Sequence, residues 1–234
     1  LDGARQAFRG GWNRVKLYFM LGLPGEREED IEAIAALADQ VAAVYFELPK
    51  EERNGRPEIS VSSSFFVPKP FTPFQWARMD TAEQFETKRR FLRDQVKQQL
   101  NRRSIRYHCH DAATSELEGL FARGDRRLAG VIEEAYRRGC LFDAWTDWFK
   151  EDVWEQVLSD KRVSRQFYNY RERGKDEIFP WDFIDIGVTK EFLYREYERA
   201  GQEVVTPNCR EKCSGCGAHR FGTGVCVEKG GSAR

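Results

Sequence analysis

Residues 14–26, RVKLYFMLGLPGE, decide the fold class of this chain. Val15, Leu17, Phe19 and Leu21 alternate with Lys16, Tyr18 and Met20, and both sets are largely apolar after Lys16. That pattern predicts a strand buried on both faces, as in parallel sheets covered by helices. Leu-Pro-Gly-Glu then turns the chain. Glu26, Glu28, Glu29 and Asp30 crowd the first turn of a predicted helix, where the dipole favours anions. Ile31, Ile34, Leu37 and Val41 recur at helical spacing and bury one stripe.

The same rhythm continues downstream. After a breaker-rich loop, PKEERNGRP (49–57), the stretch EISVSSSFF (58–66) predicts a second strand with Ile59, Val61, Ser63 and Phe65 on one face. Alternate serines of the Ser62–Ser64 run must then face the other way. A Pro-rich loop follows. Thr81 with Gln84 forms a capping-box pattern that opens a helix carrying Phe85, Phe91, Leu92, Val96 and Leu100. SIRYHCH (104–110) predicts a short third strand with His108 and His110 on one face and Cys109 on the other. Strand, helix, strand, helix, strand is the order of a parallel α/β sheet or barrel.

Beyond residue 110 the pattern turns helical. Asp111 caps a helix over 112–122, and a second helix ends at Gly139, placed as a C′ glycine. Further helices are expected around 150–172 and 188–200, the last with Thr189 as cap. Arg123, Arg126 and Arg127 surround Asp125, which suits a salt-bridged turn better than an anion anchor. The expected organisation is therefore 1–110, 111–205 and a cysteine-rich tail at 206–234.

That tail reads CREKCSGCGAH over 209–219. Cys209, Cys213 and Cys216 stand at C-x3-C-x2-C spacing, with His219 next and Cys226 further on. Short loops let such thiolates converge on one ion, and Gly215 and Gly217 between them favour a wrapped site over scattered thiols. Closure by His219 suits zinc; closure by Cys226 suits an iron–sulfur cluster. His219 continues the compact spacing, whereas Cys226 needs a longer loop. Both closures remain open at the level of sequence.

Composition sets the frame. Among 234 residues, 38 Lys and Arg balance 38 Asp and Glu, which gives no global support for nucleic-acid binding. No run of apolar residues reaches the length of a membrane helix. Six cysteines, three of them clustered, suit metal binding in a reducing compartment, the cytoplasm. The opening residues carry no initiator Met and no secretory signal, so the chain reads as cut open upstream.

At YFMLGLPGE (18–26) the chain resembles the fifth barrel strand and its loop in radical S-adenosylmethionine enzymes, including methylthiotransferases and oxygen-independent coproporphyrinogen oxidases. SVSSSFFVPKPFTPFQW (60–76) looks like the sixth strand and its exit. HDAATSELEGLFARGDRRLAGVIEEAYRRGCLFDAW (110–145), FPWDFIDIGVTKEFL (179–193) and TPNCREKCSGCG (206–217) together resemble one uncharacterised radical SAM family. Its members often carry an N-terminal cobalamin-binding-type domain and a fused or adjacent partner domain of unknown function.

The resemblance implies the C-terminal part of a partial TIM-like barrel, then a helical extension and a cysteine-rich tail. It implies S-adenosylmethionine cleaved at a [4Fe–4S] cluster whose ligands lie upstream, giving a 5′-deoxyadenosyl radical that abstracts hydrogen from a substrate the sequence does not identify. This stretch by itself is then expected to be inactive and to need the missing N-terminal half of the enzyme. Cobalamin would belong to the full-length protein. Gly22, Leu23, Pro24, Gly25 and Glu26, with Ser62 and Ser64, would lie near the cofactor. In the tail His219 stands where the family carries a fourth cysteine. Two alternatives stay in view: a non-catalytic zinc-binding interaction module, and an RNA-modifying enzyme of the methylthiotransferase kind.

Overall fold

The computed structural model describes residues 1–222, so Cys226 lies outside the described residues. It contains two compact units that interleave along the chain. One holds residues 1–66, 80–116 and 142–149; the other holds 67–79, 117–141 and residues from 150 onward. No helix of the described residues is long and apolar enough to cross a membrane.

The first unit is built on β1 (Arg14–Leu21), β2 (Glu58–Phe65) and β3 (Ile105–Cys109), an open three-stranded parallel sheet in that order. Around it lie α1 (Asp2–Arg9), α2 (Glu28–Phe46) and α3 (Ala82–Gln98). Helices α2 and α3 pack on the sheet and on each other. Ile59, Val61, Ser63 and Phe65 of the central strand are buried, and Phe65 stacks on Phe85 of α3 at 4.2 Å. On α2, Ile31, Ile34 and Val41 are buried as expected, but Ala38 completes the stripe while Leu37 stays 37% exposed.

The strand expected to be buried on both faces is not. β1 is an edge strand, and Tyr18 and Met20 are 73% and 43% exposed. Register explains the surface they share. Rows Lys16–Ser60–Arg106 and Tyr18–Ser62–His108 run across one face, with Met20 beside Ser64. Its side chains are polar or amphipathic, whereas the opposite face supplies the apolar core.

Local signals account for most helix ends. Thr81 Oγ1 accepts the Gln84 N–H at 3.3 Å, while Gln84 Oε1 accepts the Thr81 N–H at 3.0 Å, completing the expected box. α3 stops at Gln98, short of Leu100, which is 91% exposed; the next residue, Asn101, donates its N–H to Asp39 of α2 at 2.7 Å. Asp111 Oδ1 accepts the Thr114 N–H at 2.9 Å at the start of α4 (Ala112–Arg123). α5 (Leu128–Arg137) ends in a Schellman pair, Gly139 N–H to Tyr136 O and Cys140 N–H to Ala135 O, with Gly139 at φ +87°. α1 adds to the expected elements, its Phe8 packed edge-on against Tyr45 at 5.2 Å.

The second unit also holds α6 (Glu151–Asp160), α7 (Arg165–Tyr168) and α8 (Lys190–Gly201). Trp76, Phe179, Trp181 and Leu193 form a core there, flanked by Phe71, Val188, Phe192, Tyr194 and Tyr197. Thr189 caps α8, its Oγ1 accepting the Phe192 N–H at 3.2 Å. Asp125 takes Arg127 at 2.6 Å, the expected salt-bridged turn. Arg123 does something else. It is fully buried and donates from Nε to Tyr168 O at 2.6 Å and from Nη1 to Ala77 O at 2.7 Å. Arg173, also buried, donates to Arg123 O at 2.8 Å. Burial, reinforced by Arg173 and Arg171, lowers the Arg123 pKa to about 9, which leaves it charged at neutral pH.

Arg123→Met should therefore strip two buried carbonyls of their donors and lower stability by about 3 kcal/mol. Arg123→Lys should recover only part, because one ammonium replaces a two-pronged fork. Urea unfolding followed by circular dichroism reads both, and a Met variant as stable as the parent would contradict this role.

Candidate functional site at the C-terminal edge of the sheet

In parallel α/β sheets ligands gather outside the carboxyl ends of the strands. Here that edge collects the Gly22–Glu26 loop after β1, Ser64 near the end of β2, and His108 and His110 at the end of β3. His110 donates its backbone N–H to Ser63 O at 3.0 Å, so the third strand stays in step with the second to its last residue.

The loop divides into inward and outward parts. Gly22 sits at φ +88°, and a Cβ there would lie 2.6 Å from Phe85 Cε1 and 3.1 Å from Asp80 Oδ2. The close approach that glycine permits is thus taken by the protein's own Phe85 ring. Glu26 is not part of the helix start. α2 begins at Glu28, boxed by Arg27 and Asp30, whose Oδ2 accepts the Arg27 N–H at 2.8 Å. The Glu26 side chain is only 6% exposed and turns back, Oε2 accepting the Gly22 N–H at 2.9 Å and pairing with Lys88 at 2.8 Å. Lys88 reaches Asp80 at 2.8 Å as well. Burial alone would lower the Lys88 pKa, but its bonds to Asp80 and Glu26 outweigh that and raise it. Leu23, Pro24 and Gly25 project to solvent.

The serines divide by parity. Ser62 and Ser64 lie half-buried on the polar face, Ser62 in the row of Tyr18 and His108. Ser63 points into the core, where its hydroxyl bonds the Tyr107 hydroxyl at 3.0 Å. Burial pushes the Tyr107 pKa up. The polar face thus offers hydroxyls, an imidazole and an aromatic ring beside an exposed glycine loop, a set suited to a polar, ring-bearing ligand. Tyr18, Met20 and His108 join the expected residues through register alone, and the signal was the alternation of the three strands.

In the second unit the tail docks on the start of α8. Thr189 N–H donates to Cys216 O at 2.9 Å, Arg195 donates to Ser214 O at 2.6 Å, and Arg220 pairs with Asp185 at 2.6 Å. Gly217 lies so close to Gly187 O that a Cβ would stand 2.8 Å away. The Ala218 N–H points at Cys216 Sγ at 3.5 Å. Gly215 and Gly217 take φ +71° and +97° on either side of that sulfur. Cys209, Cys213 and His219 are exposed, and among the described residues no three His, Cys, Asp or Glu side chains are drawn together.

The chain is 28% identical, over 158 aligned residues, to an uncharacterized protein of Methanocaldococcus jannaschii; the match covers 63% of this chain and 32% of that relative. The chain thus spans less than a third of the relative's length. No protein-family model matches it, and no solved structure does.

Two substitutions check the loop. Gly22→Ala should cost about 2 kcal/mol or more, from backbone strain and the clash with Phe85, as read by urea unfolding. Lys88→Met should cost about 3 kcal/mol by leaving two largely buried carboxylates uncompensated. The Lys88 contribution is complete below its ordinary value of 10.5 and is lost as pH rises through the raised folded value. The stability gap between wild type and Lys88→Met should therefore narrow only in strongly alkaline solution; a gap already closed at neutral pH would contradict the pairing.

Proposed function

We propose that this chain supplies the later strands of a radical S-adenosylmethionine enzyme, with S-adenosylmethionine lying against the polar face at the C-terminal edge. The observation that carries the reading is the sheet itself. Parallel sheets are covered on both faces, and this one has helices on one face and Tyr18, Ser62, Ser64 and His108 on the other. A barrel interior is the surface such a face belongs to. The remaining strands and the three thiolates of the SAM-cleaving cluster would come from sequence outside this chain. That cluster, when bound, supplies the electron for reductive cleavage of S-adenosylmethionine.

The residues of this chain then position and shield. Ser62 and Ser64 donate to ribose or carboxylate oxygens, Leu23 and Pro24 cover the adenine, and the Glu26–Lys88 pair holds the loop that presents them. The tail is a second metal site built on Cys209, Cys213 and Cys216, closed by His219 as zinc or by Cys226 as an iron–sulfur cluster. The N–H contact at Cys216 and the flanking glycines support it.

The test uses the full-length protein, reconstituted anaerobically with iron and sulfide and reduced in the presence of S-adenosylmethionine. Formation of 5′-deoxyadenosine is expected, and its absence from a cluster-loaded, folded protein would overturn the reading. Ser62→Val with Ser64→Val should weaken S-adenosylmethionine binding about tenfold while tail metal stays unchanged. Cys213→Ala should release most of the tail metal and Cys140→Ala none; equal metal content in both would exclude a tail site.

A further inference from the structure

At the opposite end of the strands the sheet carries another group of residues. Arg14 opens β1, Arg56 stands in the turn before β2, and Arg103 and Arg106 flank the start of β3. The parallel register that sets Arg14 opposite Glu58 and Ile59 opposite Ile105 brings these three segments side by side. Together with Asn13 and Glu58 the four arginines line one cavity of about 290 Å³. In a chain whose positive and negative residues balance, this is an uneven distribution. Some other arginines of the unit are paired, Arg5 with Asp2 and Glu47, and Arg89 with Glu86. No ion pair ties Arg14, Arg56, Arg103 or Arg106 to a carboxylate of the described residues. Glu58 is the single carboxylate of the lining.

The floor of the cavity is held in place by backbone. Glu58 donates its N–H to Asn13 O at 2.8 Å, and Ser104 donates to Asn101 O at 2.8 Å. Asn54 donates to Gly11 O at 2.9 Å, fixing the turn that carries Arg56. The cations thus stand on a fixed frame and do not share one mobile loop.

The geometry points to a binding site for a compact ligand bearing two or more phosphoryl groups, held by Arg14, Arg56, Arg103 and Arg106. Guanidinium forks match phosphate oxygens two at a time, and one carboxylate against four cations leaves a net positive cavity. The size decides between ligand classes. Four arginines around a few hundred cubic ångströms fit a diphosphate, whereas a nucleic-acid strand needs a basic stripe along a surface. This site stands independently of the proposed S-adenosylmethionine chemistry, which uses the other end of the strands.

Isothermal titration of the full chain with pyrophosphate tests it, with orthophosphate and a short single-stranded RNA as parallel probes. Pyrophosphate should bind more tightly than orthophosphate, and less tightly as salt is raised. Arg56→Ala and Arg103→Ala should each raise the dissociation constant about tenfold, the loss of one charge-assisted bond. Lys161→Ala, an exposed cation in the other unit, should leave it unchanged. Arg56→Lys should keep part of the affinity, which separates charge from folding, and circular dichroism checks each variant. No heat with pyrophosphate at low salt, or equal affinity in all the variants, overturns the site. RNA binding tighter than pyrophosphate overturns the compact ligand in favour of a strand.

Discussion

The parallel register of three short strands is the constraint on which the first unit depends. It sets Tyr18 beside Ser62 and Ser62 beside His108, and places Arg14 next to Glu58. One choice of alignment therefore fixes the polar face, the glycine loop at one end and the arginines at the other. A slip of a single residue would turn Ser62 and Ser64 into the core and bring Ser63 out. The Ser63–Tyr107 hydrogen bond, the Phe65–Phe85 stack and the His110–Ser63 backbone bond all oppose such a slip.

The glycine loop is organised by a charge pair lying almost out of solvent. Lys88 answers two carboxylates, one following β1 and one preceding α3, and so ties the first strand's exit to the start of the second connection. Buried charges are kept only when each has its partner. In the other unit the same principle appears with a different donor. Arg123 and Arg173 spend their hydrogen bonds on backbone carbonyls, joining residues 76 and 77 to residues 123, 168 and 173. Chain segments remote in sequence are held by cations that sequence alone marks as surface residues.

Much of the architecture was legible because its signals are local. Strand alternation, the Thr81 box, the Gly139 stop and the Thr189 cap each act within a few residues and appear where expected. What escaped was set by distant partners. The two-sided apolar look of β1 implied burial, yet whether a face is covered depends on what packs against it, and Tyr18 and Met20 are exposed. Glu26 looked like a dipole-neutralising carboxylate; its real partner, Lys88, lies more than sixty residues away. Gly22 is expected beside the cofactor, and the neighbour that comes close to it in the fold is Phe85. Residue type and position pick out the candidate residues, but their division into inward and outward groups depends on register and distant packing partners.

The edge position of β1 has a consequence for handling the protein. Its outer row of backbone groups meets no other strand among the described residues, and Tyr18 and Met20 stand exposed beside it. Such an edge is a template for pairing with a second chain, and Arg14 and Lys16 guard only its first half. The segment from Leu17 to Leu21 is where self-association in concentrated preparations would begin.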